Sequence, residues 1–199
     1  MPQRPELSQE DRQLIHQLLN NECTYRMPAE VIDEFISKGE LMALRRGRTV
    51  IAAGEVDDNL YLILDGIMRC WYRNGRQEVT LSFGLPGTIV QPMHCYYGGE
   101  PSSENYAACC PTRLLKIARS DFDSLVERNH CFAQWNLRLA QCQLYHYEIR
   151  RREIKGDAQE RYAALVRHRP EIIRNVSLRI IATYLGITPE YLSALRAKI

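Results

Sequence analysis

The residues best placed to do chemistry stand in the last twenty positions of the chain. Thr188, Pro189 and Glu190 have the order that opens a helix. The threonine caps, the proline suits a first-turn position whose N–H would be unpaired anyway, and the glutamate complements the positive helix end. On such a helix Leu192 and Leu195 turn inward, leaving Thr188, Pro189, Glu190, Ser193, Ala194 and Ala197 outward. The hydroxyls of Thr188 and Ser193 can reach phosphates or base edges, and Glu190 can accept from a cytosine amino group. Arg196 and Lys198, with Arg179 one helix earlier, add positive charge suited to phosphate rather than bases, a contact that weakens steeply with salt.

The positions that must hold those groups follow a helix-turn-helix template from Leu178 to Ala197. Two crossing helices need a small residue at the crossing and a glycine in the turn. Ala182 is the small residue, and Gly186, four positions on, supplies the left-handed turn conformation. Ile181, Leu185, Ile187, Leu192 and Leu195 occupy the buried positions. Charge points the same way. The net +2 of the chain hides 15 Lys and Arg against 19 Asp and Glu in residues 1–148, and 11 against 5 in residues 149–199. A basic C-terminal unit of net +6 is a candidate partner for a polyanion.

Other chemistry is poorly supplied. Seven cysteines (23, 70, 95, 109, 110, 131 and 142) make an odd set with no CxxC pair, and read as reduced, packing thiols in a reducing compartment. Met93-His94-Cys95 and the vicinal Cys109-Cys110 are read the same way, so no metal or cofactor is expected. There is no Gly-rich phosphate loop, GxSxG or HExxH, and an enzyme is not expected. No apolar run approaches the ~20 residues of a membrane span, and Met1 to Asp11 is polar, which predicts a cytoplasmic protein.

Ahead of the C-terminal unit the elements change character twice. Residues 8–20 read as a helix capped by Ser8 with Asp11 at the third position, and a second helix is expected near Pro28 to Lys38. From Glu40 to Ala118 short strands alternate with turn signals, as in an antiparallel sandwich or barrel. Asn74-Gly75 predicts a type I′ hairpin joining 67–73 to 77–83. Ser120 and Asp123 predict the start of a helix. A long helix, about His130 to Glu153, carries two apolar stripes. Phe132, Trp135, Leu139, Cys142, His146 and Ile149 are expected at the interface with a second copy, and Ala133, Leu137, Ala140, Leu144 and Tyr147 form the adjoining stripe. Gly156-Asp157 marks the next break.

This order of elements resembles the Crp/Fnr family of bacterial regulators. The resemblance is carried by Arg46 to Glu55 (RGRTVIAAGE), Leu60 to Gly66 (LYLILDG), Pro101 to Asn105 (PSSEN), Gln159 to Tyr162 (QERY) and, most specifically, Ile181 to Ser193 (IATYLGITPEYLS). It implies an α+β chain in three parts. Residues 1–128 would be N-terminal helices with a cyclic-nucleotide-binding-like double-stranded β-helix or jelly-roll barrel. Residues 129–155 would be a long dimerisation helix, and residues 156–199 a small all-α helix-turn-helix domain. The partners implied are double-stranded DNA, a second copy of the chain and a small-molecule effector of unknown identity, with no membrane. In the family a Gly-Glu pair holds the ribose and an Arg-Ser pair clamps the cyclic phosphate. Aligned by strands, these fall on Gln91-Pro92 and Ser102-Ser103, with no arginine between Arg76 and Arg113. The effector pocket is therefore expected to be lined by Gln91, Ser102, Ser103, Glu104 and Asn105, and not to take cyclic AMP. Ala194, where related sequences often have arginine, removes a donor from the recognition helix.

Overall fold

The computed structural model describes residues 7–153 and 156–197. Two helices, α1 (Gln9–Asn21) and α2 (Ala29–Ser37), precede eight strands, which form two antiparallel sheets packed face to face. The strands are β1 (Glu40–Leu44), β2 (Thr49–Ile51), β3 (Leu60–Asp65), β4 (Met68–Asn74), β5 (Gln77–Gly84), β6 (Ile89–Val90), β7 (Asn105–Ala108) and β8 (Thr112–Ile117). One sheet has the order β1-β8-β3-β6 and the other β2-β7-β4-β5. Six further helices follow: α3 (Arg119–Arg128), α4 (His130–Glu153), α5 (Ala158–His168), α6 (Pro170–Asn175), α7 (Leu178–Leu185) and α8 (Pro189–Arg196).

Burial on both faces explains why β3 reads as a continuous apolar run instead of alternating. Its even positions, Leu60, Leu62 and Leu64, face a core shared with the helices, while Tyr61 and Ile63 face the sandwich interior with Ile51, Met68 and Leu114. A third core lies on the outside of the second sheet, where Ile67, Phe83 and Cys109 meet Tyr162, Leu165, Ile172, Ile181 and Leu185. Gly66 sits at φ +88 with a Cβ position 2.5 Å from the Pro111 carbonyl oxygen, so neither the backbone nor the space accepts another residue there.

Ser8 and Asp11 form the expected reciprocal capping box on α1. Asp157 and Glu160 form another on α5, where only a break at Gly156-Asp157 is expected. Arg113 donates to Asp11 at 2.6 Å, tying α1 to β8. Burial pushes the Asp11 carboxyl up, but hydrogen bonds from Arg113 and Ser8 outweigh it and leave the group below its ordinary value.

Three expectations are corrected. The β4–β5 turn is Gly75-Arg76, with Asn74 paired to Gln77 and only Gly75 at positive φ (+58). That is the pattern of a II′ turn, with glycine first. Helix α3 begins at Arg119 behind Ala118 with no side-chain cap. Asp123 lies inside it, accepting from Tyr96 and Arg119 instead.

The third correction concerns α4. Phe132, Trp135 and Leu139, expected to face a second copy, are 0%, 0% and 6% exposed inside their own chain. They pack with Leu19, Phe35, Phe122 and Leu125, and the Trp135 indole donates to the Leu19 carbonyl at 3.0 Å. Cys142 donates to the Glu22 carbonyl at 3.4 Å, and Ile149 is half-buried. The N-terminal helices are amphipathic and need a partner, and this stripe of α4 is what they find. Left outward are Leu137, Leu144, Tyr145 and Tyr147, between 49% and 62% exposed.

Removing the indole should therefore cost stability. Trp135→Ala is expected to lower the unfolding free energy by about 3–5 kcal/mol in urea titration, the range for emptying a buried aromatic site. The Asp11 contribution is present above pH 3.8 and lost as pH falls through the lowered folded-state value. Asp11→Asn should consequently flatten the acid limb of stability measured between pH 7 and pH 3.

Candidate functional site

Helices α7 and α8 meet at Gly186, which caps α7 in the left-handed region at φ +65. Thr188 then caps α8 by accepting from the Tyr191 amide, and Pro189 occupies its first turn. Ile181, Ala182, Leu185, Leu192 and Leu195 are buried where the two helices cross and rest on the barrel. Thr188, Glu190, Tyr191, Ser193, Ala194 and Ala197 stay exposed, and Pro189 is half-exposed. Arg179 is exposed at the start of α7. The Thr188 hydroxyl oxygen is engaged as a cap, which leaves its proton for an outside acceptor.

Arg196 is placed differently from the expectation of a phosphate contact. Its guanidinium donates to the Tyr162 hydroxyl at 3.1 Å and to the Ile173 carbonyl at 3.4 Å, bracing α8 against α5 and α6. A guanidinium held by two internal acceptors is a weaker phosphate ligand than a free one. Lys198 lies outside the described residues.

The helix pair is docked on the second sheet. Thr80 of β5, 4% exposed, shares a 2.7 Å hydrogen bond with Thr183 of α7, whose own hydroxyl also reaches the Ile180 carbonyl. The rings of Phe83 and Tyr184 meet at a tilt of 55° with centroids 5.1 Å apart, and Arg169 donates to the Phe83 carbonyl. Beyond this contact a cleft of about 520 Å³ separates the β4–β5 hairpin from the turn between α7 and α8.

A second concavity, about 310 Å³, opens between the barrel and α4. Cys70, Gln91 and Tyr106 line it from the strands and loops, and Gln143, His146 and Tyr147 line it from the helix. Of the five residues expected in an effector pocket, Gln91 alone belongs to this wall. Ser102 is buried and exchanges hydrogen bonds with the Glu104 backbone. Ser103 donates to the Glu104 carboxylate at 2.8 Å. Asn105 accepts from the Ala53 amide at 3.0 Å and donates to the Trp71 carbonyl. These four shape the loop before β7 rather than face the cavity. His146, expected at a dimer interface, is exposed and borders the cavity.

Sequence order did not suggest β4 as a source of cavity groups, yet Arg69 of β4 borders the wall. Its guanidinium pairs through one nitrogen with Glu78 at 3.0 Å and lies over the Trp71 ring at 4.7 Å, while its buried Nη1 has no hydrogen-bond partner among the described residues. Burial pushes the Cys70 thiol up to about 11, so it remains protonated at neutral pH and is a poor nucleophile. Burial likewise raises Tyr106, with Cys70 beside it adding to the shift. Among the described residues no three His, Cys, Asp or Glu side chains gather as a metal-ligating group. Among them, too, no helix is long and apolar enough to cross a membrane.

Comparison with known proteins agrees with this geometry at the level of the barrel. Residues 41–129 match the model of the cyclic nucleotide-binding domain. No curated protein sequence matches the chain. Among solved structures, FixK2 from Bradyrhizobium japonicum is 19% identical, with a TM-score of 0.67 over 80% of this chain and 83% of that one. The catabolite activator protein of Thermus thermophilus is 20% identical, with a TM-score of 0.54 over 91% and 85%. The c-di-GMP-responsive global regulator CLP of Xanthomonas campestris is 15% identical, with a TM-score of 0.65 over 86% and 91%. At these identities the likeness is one of fold. The two packed sheets and the helix that follows them thus have the fold of, and over residues 41–129 match the model for, a cyclic nucleotide-binding domain.

Proposed function

We propose that the chain is a DNA-binding transcription regulator of the Crp/Fnr type, acting as a dimer in the cytoplasm. The observation that carries this reading is the uncovered outer face of α8, held out by a pair of helices whose inner faces are anchored on the barrel. A helix of ~10–12 Å diameter fits the ~12 Å major groove. In this reading residues 1–128 sense, 129–155 join two copies and 156–199 bind DNA. Thr188, Pro189, Glu190 and Ser193 meet the groove, and Arg179 meets phosphate.

The dimer contact in this reading is the outward stripe of α4, Leu137, Leu144, Tyr145 and Tyr147, rather than the stripe spent on the N-terminal helices. Large aromatic groups exposed along one helix are the composition expected of such a contact. Two recognition helices paired across a two-fold axis would sit about one DNA turn, ~34 Å, apart.

A second reading is favoured by the state of Arg196 and by Ala194: a ligand-binding sensor of the same fold that has lost specific DNA binding. The sparse helix supplies three hydroxyls, on Thr188, Tyr191 and Ser193, and one carboxylate for base edges. The two readings separate in a mobility shift with a promoter fragment from the protein's own locus. A regulator gives a discrete complex at moderate salt that competitor DNA does not remove, whereas a bare sensor gives a complex only at low salt, or none.

The effector cavity in this reading takes something other than cyclic AMP, because the residues aligned with the phosphate clamp are serines tied to their own loop. Isothermal titration with cyclic AMP should give no saturable heat at micromolar ligand, and micromolar binding would overturn this part. Sedimentation should give a dimer that Leu144→Asp with Tyr147→Asp shifts to monomer. An unaltered dimer would move the interface off this face.

A further inference from the structure

The β4–β5 hairpin lies alongside the start of α8. The cleft between them is bordered by Arg76, Glu78 and Val79 on the hairpin and by Arg179, Thr188 and Glu190 on the helix pair. The docking of α7 on β5 through Thr80 and Thr183 fixes this placement. Arg73 pairs in register with Glu78, so it lies on the same ribbon, three positions before Arg76. Both arginines are exposed, and neither has an ion pair or side-chain hydrogen bond among the described residues. The acidic groups of the cleft are accounted for: Glu78 pairs with Arg69, and Glu190 stands in the first turn of α8.

We infer that the hairpin tip is a second DNA-contacting element, with Arg73 and Arg76 meeting the phosphates beside the groove that α8 enters. The inference rests on the DNA-binding reading above. A recognition helix about as wide as the major groove leaves no room within it for a neighbour. Anything that flanks the helix must then lie over the groove wall, which is the sugar–phosphate backbone. A hairpin end carrying one guanidinium in its turn and a second on the adjoining strand has the charge and donors for that backbone. Such contacts supply affinity without sequence information, which is what the face of α8 provides least.

The test is fluorescence anisotropy of the full chain with a labelled mixed-sequence duplex of about three helical turns, titrated from 50 to 200 mM salt, the range over which phosphate contacts show. Each lost phosphate contact lowers the slope of log affinity against log salt by about one. Arg73→Ala with Arg76→Ala should therefore bind more weakly, with the slope reduced by about two for each protomer engaged, about four for the dimer. Lysine at both positions should restore most of it. Arg12→Ala with Arg26→Ala removes the same charge at the N-terminal helices and should leave the slope unchanged. A wild-type complex whose slope is the same in the double alanine variant would overturn the hairpin inference and leave the DNA-binding reading standing. Tighter binding by that variant would also overturn it, by making the hairpin an obstacle. No binding by the wild-type chain at 50 mM salt would sink the DNA reading and the inference together.

Discussion

The seating of α7 on the outer face of the second sheet is the contact on which the arrangement of this molecule turns. Ile67, Phe83 and Cys109 would be an exposed apolar patch on a free barrel, and the inner faces of α5, α6 and α7 would be another on a free helical unit. Joining them buries both, at roughly 25 cal/mol for each Å² of apolar surface removed from water. The hydroxyl pair of Thr80 and Thr183 adds direction to what is otherwise a non-directional contact. Because α7 is fixed on one side, α8 is presented on the other, and the hairpin becomes its neighbour.

Helix α4 carries a comparable double duty. One face closes the core over α1 and α2 through Phe132 and Trp135. Farther along, Gln143, His146 and Tyr147 form a wall of the barrel cavity, and Tyr147 together with Leu144 and Tyr145 is turned outward. Cavity and exposed stripe thus share one turn of a single helix. A ligand that preferred one position of that helix would shift the stripe by the same motion, to the extent of its difference in affinity for the two positions.

What could be read from the sequence was what short-range physics decides. The capping box at Ser8–Asp11, the left-handed glycine at Gly186 and the Thr188-Pro189 helix start all depend on residues within four positions of one another. The extent of α4 was legible for the same reason. The partner of each α4 face was not, since Leu19, Phe35 and Phe122 are remote in sequence and either stripe is apolar enough to serve. The β3 run hid its alternation because both faces are buried. Arg196 gave no sign of being held, as its acceptors on Tyr162 and Ile173 lie more than twenty residues away. A family alignment carries positions and not local turns, so it gave no sign that Ser102, Ser103 and Asn105 here bond their own backbone and neighbours.

The claim that one side of the helical unit belongs to the barrel and the other to a duplex can be measured residue by residue. Hydrogen–deuterium exchange of the full chain, alone and saturated with promoter duplex, reports both sides at once. The account predicts that amides of α7 are protected in both states and that those from Thr188 through Arg196 gain protection when the duplex is added. Unchanged exchange across α8 in the saturated sample, or rapid exchange in α7 of the free chain, would contradict it.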